Sequence, residues 1–307
     1  MSIILIENFR AVFYTPFYAA FALGAYESEG LDMQRVTSSQ PAETMQMLLN
    51  GEGDVAWGGP IRLLAANNEN PDCNLVIFCE VVGRDPFFLV GRNPSETFRL
   101  ADLMEQRLAT VSEVPTPWLC LQHDLRLVGF DPSQVNRVTG QSMPDNVEAL
   151  RAGEVDVIQI FQPYVEHALE GGAGHIWYAA SDRGLTAYTS LYTTRECMAR
   201  DPESLLRMTR AMYRTQSWIA NHDAATLAAC VADFFPDLSH QLLTQALGRY
   251  KTLGLWNLNP MLVAEGFEWL VAACLSGGFI QQHVAYERCV DMRFAEQVIQ
   301  EAPPALS

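Results

Sequence analysis

The chain has 307 residues, 49% of them hydrophobic and 18% charged, and it carries a net charge of −16 at pH 7. This composition excludes a disordered chain, and the length suffices for two α/β lobes of roughly 100–200 residues each. Because neutralising phosphates requires clustered Lys and Arg, the acidic charge also excludes nucleic acid as an expected partner.

Apolar runs and helical spacing alternate along the chain. They predict strands over residues 3–7, 31–36, 54–57, 75–82, 87–90, 108–111, 135–139, 155–160, 176–180 and 185–193. Helices are predicted over 17–29, 42–50, 61–67, 118–128, 145–152, 163–169, 202–221, 224–235, 240–253, 261–277 and 293–301, with a helical turn over 99–105. Strands that alternate with helices favour parallel sheets and therefore an α/β fold.

The alternation breaks near residue 90 and again near residue 185. We interpret both breaks as crossover strands between two lobes. The first lobe is then expected to comprise residues 1–90 plus 185–307, with a helical C-terminal region, and the second lobe residues 91–184.

A similar unit occurs once in each predicted lobe. Gly53-Asp54-Val55 leads into Trp57-Gly58-Gly59-Pro60, and Gly153-Glu154-Val155-Asp156 leads into Phe161-Gln162-Pro163. Each copy predicts a helix, a short strand and a turn that opens the next helix. A strand that runs into a helix N-terminus leaves free backbone N–H groups beside the positive end of the helix dipole. The two copies therefore predict similar lobes with a small ligand, polar or anionic at one end, between them.

The seven cysteines, at positions 73, 79, 120, 197, 230, 274 and 289, show no metal-ligand spacing. We expect reduced thiols, no metal and no cofactor. The sequence shows no signal peptide and no membrane-spanning run, so no membrane insertion is expected. As the sequence stands it predicts a cytoplasmic protein, whereas a leader removed upstream of Met1 would indicate the periplasm.

An ordered set of short motifs resembles one family of binding proteins over nearly the whole chain. The motifs are Thr15-Pro16-Phe17-Tyr18-Ala19-Ala20, Glu29-Gly30-Leu31-Asp32, Gly51-x-Gly53-Asp54-Val55, Leu100-Ala101-Asp102-Leu103, Val128-Gly129-Phe130, Ala149-Leu150-x-Ala152-Gly153-x-Val155-Asp156, Pro163-Tyr164 and Asp201-Pro202-Glu203. The chain is similar to the nitrate-, sulfonate-, taurine- and thiamine-precursor-binding proteins of ABC importers, a family that also contains the fungal thiamine-pyrimidine synthases. The resemblance implies a type-II periplasmic-binding-protein fold with the ligand in the cleft.

The chain departs from the fungal synthases at residues that their chemistry uses. The resemblance places Gly58 at the synthase lysine and Arg62 at its histidine, and residues 184–190 hold no cysteine. The usual Glu-Pro-Tyr of the family appears as Gln162-Pro163-Tyr164, so a carboxylate that some members use for binding is absent. These departures argue against synthase chemistry.

Candidate ligand-binding residues in the first lobe follow its first and third strands. They are Tyr14, Thr15, Phe17, Trp57, Gly58, Gly59 and Arg62. The planar fork of Arg62 suits a carboxylate, phosphate or sulfonate, the alternative being a solvent-facing arginine. Trp57 is a candidate for stacking on the ligand, the alternative being core packing.

The remaining candidates lie in the second lobe, the returning crossover and the C-terminal region. They are Ser112, Thr116, Trp118, Phe161, Gln162, Tyr188 and Trp256. Ser112 or Thr116 could donate a hydrogen bond, while Trp118 and Trp256 could instead be core residues.

No catalytic triad or Cys–His arrangement is evident in the sequence, so no catalytic residue is assigned. Glu113 and Asp182 are acids without an evident base, and Cys120 at a helix start could be a thiolate or a buried structural cysteine. The prediction is a solute-binding protein that closes two lobes over a small aromatic, heterocyclic or anionic ligand, with an ABC permease as candidate partner. The alternative is a cytoplasmic enzyme on the same scaffold, similar to the synthases, a desulfinase or a decarboxylase.

Overall fold

Ten strands form two five-stranded sheets in the computed structural model, which describes residues 2–40, 43–112 and 114–306. The strands are β1 Ile3–Glu7, β2 Met33–Thr37, β3 Val55–Gly58, β4 Leu75–Val82, β5 Phe88–Gly91, β6 Arg107–Ala109, β7 Asn136–Val138, β8 Val157–Ile160, β9 His175–Ala179 and β10 Thr189–Thr194. Four residues named in the sequence predictions lie outside the described residues. They are Met1 and Ser307 at the ends of the predicted first lobe, Ala42 at the start of a predicted helix, and the candidate acid Glu113.

The two sheets have matching topology. Their strand orders are β2-β1-β3-β10-β4 and β7-β6-β8-β5-β9. In each sheet four strands run in the same direction, and the one next to the edge, β10 or β5, is antiparallel to both of its neighbours. The predicted two-lobed α/β fold with two crossovers is confirmed. Strand β5 belongs as a whole to the second sheet, and the lobe boundaries after residues 90 and 184 stay predictions.

Fourteen α-helices of the described chain surround these sheets. They are α1 Thr15–Ala22, α2 Ala25–Ser28, α3 Glu43–Leu49, α4 Ile61–Glu69, α5 Thr116–Leu127, α6 Met143–Ala152, α7 Tyr164–Leu169, α8 Arg195–Arg200, α9 Pro202–Asn221, α10 Ala224–Val231, α11 His240–Thr252, α12 Ala264–Ser276, α13 Tyr286–Cys289 and α14 Arg293–Glu301. None of them is long and apolar enough to cross a membrane.

The helix predicted over residues 17–29 is two helices in the structure. Gly24 between α1 and α2 has a φ of 62°, a left-handed conformation that ends the first helix and that glycine adopts without a steric penalty. Helices α8 and α13 were not predicted, because each is short and has little helical periodicity of its own.

The Asp residue of each repeated sequence unit connects two adjacent parallel strands within its own sheet. The Asp54 carboxylate accepts a hydrogen bond from the Ile4 backbone at 3.0 Å, and the Asp156 carboxylate accepts one from the Arg107 backbone at 3.0 Å. Ile4 lies on β1 and Arg107 on β6, the parallel neighbours of β3 and β8 in their sheets. The repeated sequence unit thus corresponds to a repeated way of fixing the register of adjacent parallel strands.

Both faces of the first sheet are buried. Leu5 and Trp57 belong to a core cluster that also contains residues of α1 and α9, whereas Ile6 and Tyr192 belong to a second cluster with residues of α4 and α12. Burial on both faces is the normal state of parallel strands covered by helices. Helix α12 also packs against α5 of the second lobe, so the two lobes are in contact.

Candidate functional site

A small cavity of about 60 Å³ lies between the two sheets. Parallel strands β1, β3 and β8 all end at this level, which is where open α/β sheets bind ligands. The described residues that line this central cavity are Asn8, Phe9, Phe13, Tyr14, Gly59, Ile61, Arg62, Phe87, Val114, Pro115, Thr116, Phe161, Tyr188 and Phe279. Both lobes and both crossovers therefore contribute to one enclosed space.

Arg62 supplies the positive charge of the central cavity. It lies in the first turn of α4, directly after the Gly59-Pro60 turn, and its side chain is partly buried. Within the described residues no carboxylate pairs with its guanidinium and no hydrogen bond from it is found. Burial lowers the pKa of Arg62 from its usual value, with the nearby Tyr192 and Tyr14 hydroxyls opposing the shift. An unpaired, partly desolvated cation is costly, and an anion in the cavity would remove that cost.

Polar groups from three elements converge beside Arg62. Asn8 Nδ2 donates a hydrogen bond to the Tyr14 hydroxyl at 3.3 Å. The buried Tyr192 hydroxyl has no hydrogen-bond partner among the described residues. A Cβ on Gly58 would lie 3.4 Å from Tyr192 Oη and 3.6 Å from Asn8 Nδ2, so both polar atoms reach the same piece of backbone. Of these groups Asn8 and Tyr14 line the cavity and can donate hydrogen bonds to an anionic group, whereas Tyr192 is fully buried outside the described lining.

Aromatic rings form the opposite side of the central cavity. The Phe13 ring meets the Phe161 ring edge-on at 5.2 Å between centroids, and the Tyr188 ring at 6.0 Å. Phe87 adds a further edge contact with Phe161 at 5.1 Å. Burial raises the pKa of the Tyr188 hydroxyl, which is therefore neutral at pH 7. Rigid aromatic surfaces of this kind contribute contact area at a small entropic cost.

A larger groove adjoins the central cavity at the Phe9, Val114 and Phe161 side chains. It has a volume of about 700 Å³ and extends between the segment 234–238 of the first lobe and Met143, Pro163 and Tyr164 of the second. The three shared residues separate the groove from the space around Arg62.

Six of the fourteen predicted site residues line the central cavity. They are Tyr14, Gly59, Arg62, Thr116, Phe161 and Tyr188. Their assignment as ligand contacts stays a prediction, which their common position supports.

Trp57, Phe17 and Thr15 lie in the core of the first lobe and do not line the cavity. The Trp57 and Phe17 rings are fully buried and stack on each other at 4.6 Å with an interplanar angle of 6°. The Thr15 hydroxyl donates to the Val12 carbonyl at 2.7 Å, within the turn that starts α1. These three side chains are thus buried in the core of the first lobe and lie outside the described cavity lining, and their expected contact with a ligand has no support from this position. Gly58 is also buried, behind the cavity wall.

Gln162 and Trp256 are also buried and do not line the central cavity. Gln162 Nε2 donates to Glu166 at 2.6 Å, and its backbone N–H donates to the Tyr250 hydroxyl. The Trp256 indole N–H donates to the Phe13 carbonyl at 2.9 Å, which places this ring beneath the loop that carries Phe13. Both residues support cavity-lining segments from behind.

Ser112 and Trp118 do not line the central cavity but an adjoining open pocket of about 350 Å³, which shares Val114, Pro115 and Phe279 with it. The Ser112 hydroxyl accepts a hydrogen bond from the Gly140 backbone at 2.9 Å. The Arg137 guanidinium lies over the Trp118 ring at 4.4 Å. Local partners already occupy the polar and aromatic groups that were expected to face the ligand.

Several residues that line the central cavity were not predicted from the sequence. They are Asn8, Phe9, Phe13, Ile61, Phe87, Val114, Pro115 and Phe279. Asn8 and Phe9 directly follow β1, so their position at a strand end is a signal that could have been used. Phe279 lies after α12, far along the chain, and no local pattern connects it with the site.

The titratable or nucleophilic side chains in the described cavity lining are Tyr14, Arg62, Thr116 and Tyr188. The described lining holds no Cys, His, Asp, Glu or Lys. Cys120 is fully buried elsewhere, and burial raises the pKa of its thiol, which disfavours a thiolate. Asp182 is solvent-exposed on the second crossover. Among the described residues no group of three or more His, Cys, Asp or Glu could hold a metal ion.

Comparison with known proteins places this chain in a family. The model of the family described as "NMT1/THI5 like" matches residues 12–226. The chain belongs to the NMT1/THI5-like family. The match contains every strand from β3 to β10 and the residues of the central cavity except Asn8, Phe9 and Phe279.

Relatives of this NMT1/THI5-like chain include binding proteins and an enzyme. The curated "Putative binding protein YtlA" of Bacillus subtilis (strain 168) is 24% identical over 96% of this chain and 89% of its own length. The alkanesulfonate-binding protein SsuA from Xanthomonas axonopodis pv. citri, solved with MOPS bound, is 15% identical with a TM-score of 0.71, covering 94% of this chain and 97% of its own. The desulfurization enzyme DSZB is 14% identical with a TM-score of 0.70, covering 99% and 100%. These structures show that the fold is the periplasmic-binding-protein fold.

Proposed function

We propose that this protein is a solute-binding protein that holds a small organic anion between its two lobes and delivers it to an ABC importer. The observation that carries the proposal is the Arg62 guanidinium, which is partly buried in a closed aromatic cavity without a carboxylate partner among the described residues. A guanidinium in this setting binds carboxylate or sulfonate oxygens through two parallel hydrogen bonds.

The comparisons support the same proposal. One relative is named as a binding protein, and one similar structure is an alkanesulfonate-binding protein that holds MOPS, itself a sulfonate. An ABC permease is the partner that such proteins serve. In this role the protein would face the outer side of the membrane that carries the permease.

The cavity chemistry favours binding over catalysis. The described cavity residues include no Cys, His, Asp, Glu or Lys, the side chains that most often act as base or nucleophile, whereas Arg62 and the aromatic rings suit the binding of an anion. The fold alone does not separate the two functions, since DSZB shares it.

Calorimetry with matched acids and amides tests the proposal. Benzenesulfonate is compared with benzenesulfonamide, and 6-phenylhexanoate with 6-phenylhexanamide, on the wild-type protein. At least one acid should bind, and more tightly than its amide. Arg62→Gln should weaken the binding of that acid by about 10- to 100-fold, the range for hydrogen bonds to a charged group, and Arg62→Lys should restore it in part.

Arg99→Gln is the matched control, because the Arg99 side chain is 80% exposed and does not line the cavity. It should leave all affinities unchanged. Equal affinities of Arg62→Gln and wild type for an acid that binds would contradict the proposed role of Arg62, and the absence of binding by every acid would contradict the anion-binding function.

A further inference from the structure

The central cavity is too small for the whole of an organic ligand. Its volume is about 60 Å³, whereas pockets for organic ligands are generally about 300–1,000 Å³. The space around Arg62 can therefore enclose an anionic head group and little more. If an organic anion binds there, as proposed above, most of its atoms must lie elsewhere.

The adjoining groove has the size and the chemistry to hold them. Its volume is about 700 Å³, and twelve of its sixteen described lining residues are apolar or aromatic. The four exceptions are Arg10, Ser39, Gln40 and Asp237. The Arg10 guanidinium is already bonded to Glu7 at 2.9 Å and to the Phe234 carbonyl at 2.7 Å, so it is not available as a second anion site.

The boundary between the two spaces is narrow and made of side chains. The Phe9 ring of the first lobe and the Phe161 ring of the second stack across it with centroids 6.5 Å apart, and Val114 completes it. Phe9 and Val114 are partly exposed, and exposed side chains change rotamer readily. A methylene chain in contact with both rings needs them about 7–8 Å apart, so an extended chain can pass only when the Phe9 side chain turns aside, and a charged or branched group would be opposed there.

We propose that the groove is a second binding subsite, which takes the apolar tail of an elongated organic anion whose head group lies at Arg62. The ligand class is an acid with a linear linker and a hydrophobic end. This inference rests on the proposed anion-binding function. It adds that affinity depends on the length of the apolar tail and on residues of the groove, such as Leu238, that do not line the central cavity.

The test compares a short and a long acid with the same head group. Calorimetry measures the affinities of phenylacetate and 6-phenylhexanoate, together with the corresponding sulfonates, on the wild-type protein. The long acid should bind at least about tenfold more tightly than the short one, because its four additional methylene groups are removed from water and let its ring reach the groove. This first comparison needs no variant.

Variants then locate the tail. Leu238 is partly exposed in the groove, and Leu238→Glu should remove most of the difference between long and short acids. The matched control is Leu258→Glu, at a leucine that is 70% exposed and outside both spaces; it should keep the wild-type ratio. Arg62→Gln should weaken both acids by a similar factor and so also keep the ratio.

Equal affinities for short and long acids on the wild-type protein would overturn the tail subsite and leave the proposed function standing. A ratio that survives Leu238→Glu in a protein with a wild-type melting curve would overturn the placement of the tail in this groove. If no acid binds, both the proposed function and the subsite are refuted.

Discussion

The Arg183 guanidinium meets the Asp85 carboxylate at 2.7 Å, and this ion pair joins the two crossover segments of the chain. Arg183 also bonds to Asp124 of helix α5, and it lies over the Trp269 ring of helix α12 at 4.9 Å. The Arg183 side chain is 5% exposed and that of Asp85 is fully buried. One arginine therefore connects both crossovers with a helix from each lobe, at the place where any change in the angle between the lobes must occur.

Removal of this arginine should destabilise the fold strongly. Arg183→Met leaves two buried carboxylates without a cation, and breaking a buried pair in this way costs about 3–5 kcal/mol. Urea unfolding followed by circular dichroism gives the free energy of unfolding. Arg293→Met is the control, since Arg293 pairs with Asp291 at 64% side-chain exposure and should cost less than about 1 kcal/mol. Equal losses in the two variants would show that the buried cluster has no special role.

The Trp57 ring should matter for stability and not for ligand contact. It is fully buried and stacked on Phe17, so Trp57→Ala should lower the free energy of unfolding by about 3–5 kcal/mol. Trp57→Phe should retain most of the stability and bind the acids described above with wild-type affinity. A Trp57→Phe protein that folds normally and has lost acid binding would place this ring in the ligand site after all.

Two glycines should respond to alanine in opposite directions. A Cβ on Gly91 of strand β5 would lie 1.9 Å from the Trp177 ring, so Gly91→Ala should cost about 1–3 kcal/mol through overpacking. A Cβ on Gly248 of helix α11 would make an ordinary contact with Ala224 at 3.5 Å. Gly248→Ala should therefore stabilise the protein by about 0.5–1 kcal/mol through a lower entropy of the unfolded chain. Thermal and urea unfolding of both variants measure these effects, and a change of the same sign would contradict the packing geometry.

Stability should fall with rising pH because of Glu80. Burial raises the pKa of this carboxyl from 4.5 to about 8. The hydrogen bond that Asn257 Nδ2 donates to it at 2.6 Å acts in the opposite direction and lowers the pKa. Between these two values the folded protein holds a proton that the unfolded chain releases. The stabilising contribution of Glu80 to the free energy of unfolding is therefore fully present below about pH 4.5. It is lost as the pH rises from there to about 8, and the free energy of unfolding then no longer changes because of this group.

Glu80→Gln should remove this part of the pH dependence. Urea unfolding at about pH 5, 6.5 and 8 should show a smaller decrease in the free energy of unfolding for Glu80→Gln than for the wild type. Parallel pH curves for the two proteins would mean that Glu80 titrates near its ordinary value.

The sequence was sufficient for the architecture of this protein but not for the lining of its cavity. Alternating strands and helices, with two interruptions, predicted the sheets and the crossovers, because these features follow from local periodicity. The break at Gly24 was missed because a glycine within an otherwise helical pattern is compatible with both a continuous and an interrupted helix.

Side-chain direction was the part that local patterns could not supply. Strand β3 is buried on both faces, so hydrophobicity does not reveal that Trp57 faces α1 and α9 and not the cleft. Arg62 was equally compatible with solvent and with the cavity, since one helical step of about 100° decides between them. Phe279 reaches the cavity from the C-terminal region only through the packing of α12 on α5.

The strand orders also have a consequence for the way this chain can fold during synthesis. The second sheet contains strands from one continuous stretch, β5 to β9, so it can assemble once residue 179 has left the ribosome. The first sheet has β10 between β3 and β4, and β4 cannot join β3 until residues 189–194 are made. We therefore expect nascent chains that stop before β10 to contain one finished sheet and one with two exposed apolar edges, the stage at which a chaperone would be most needed.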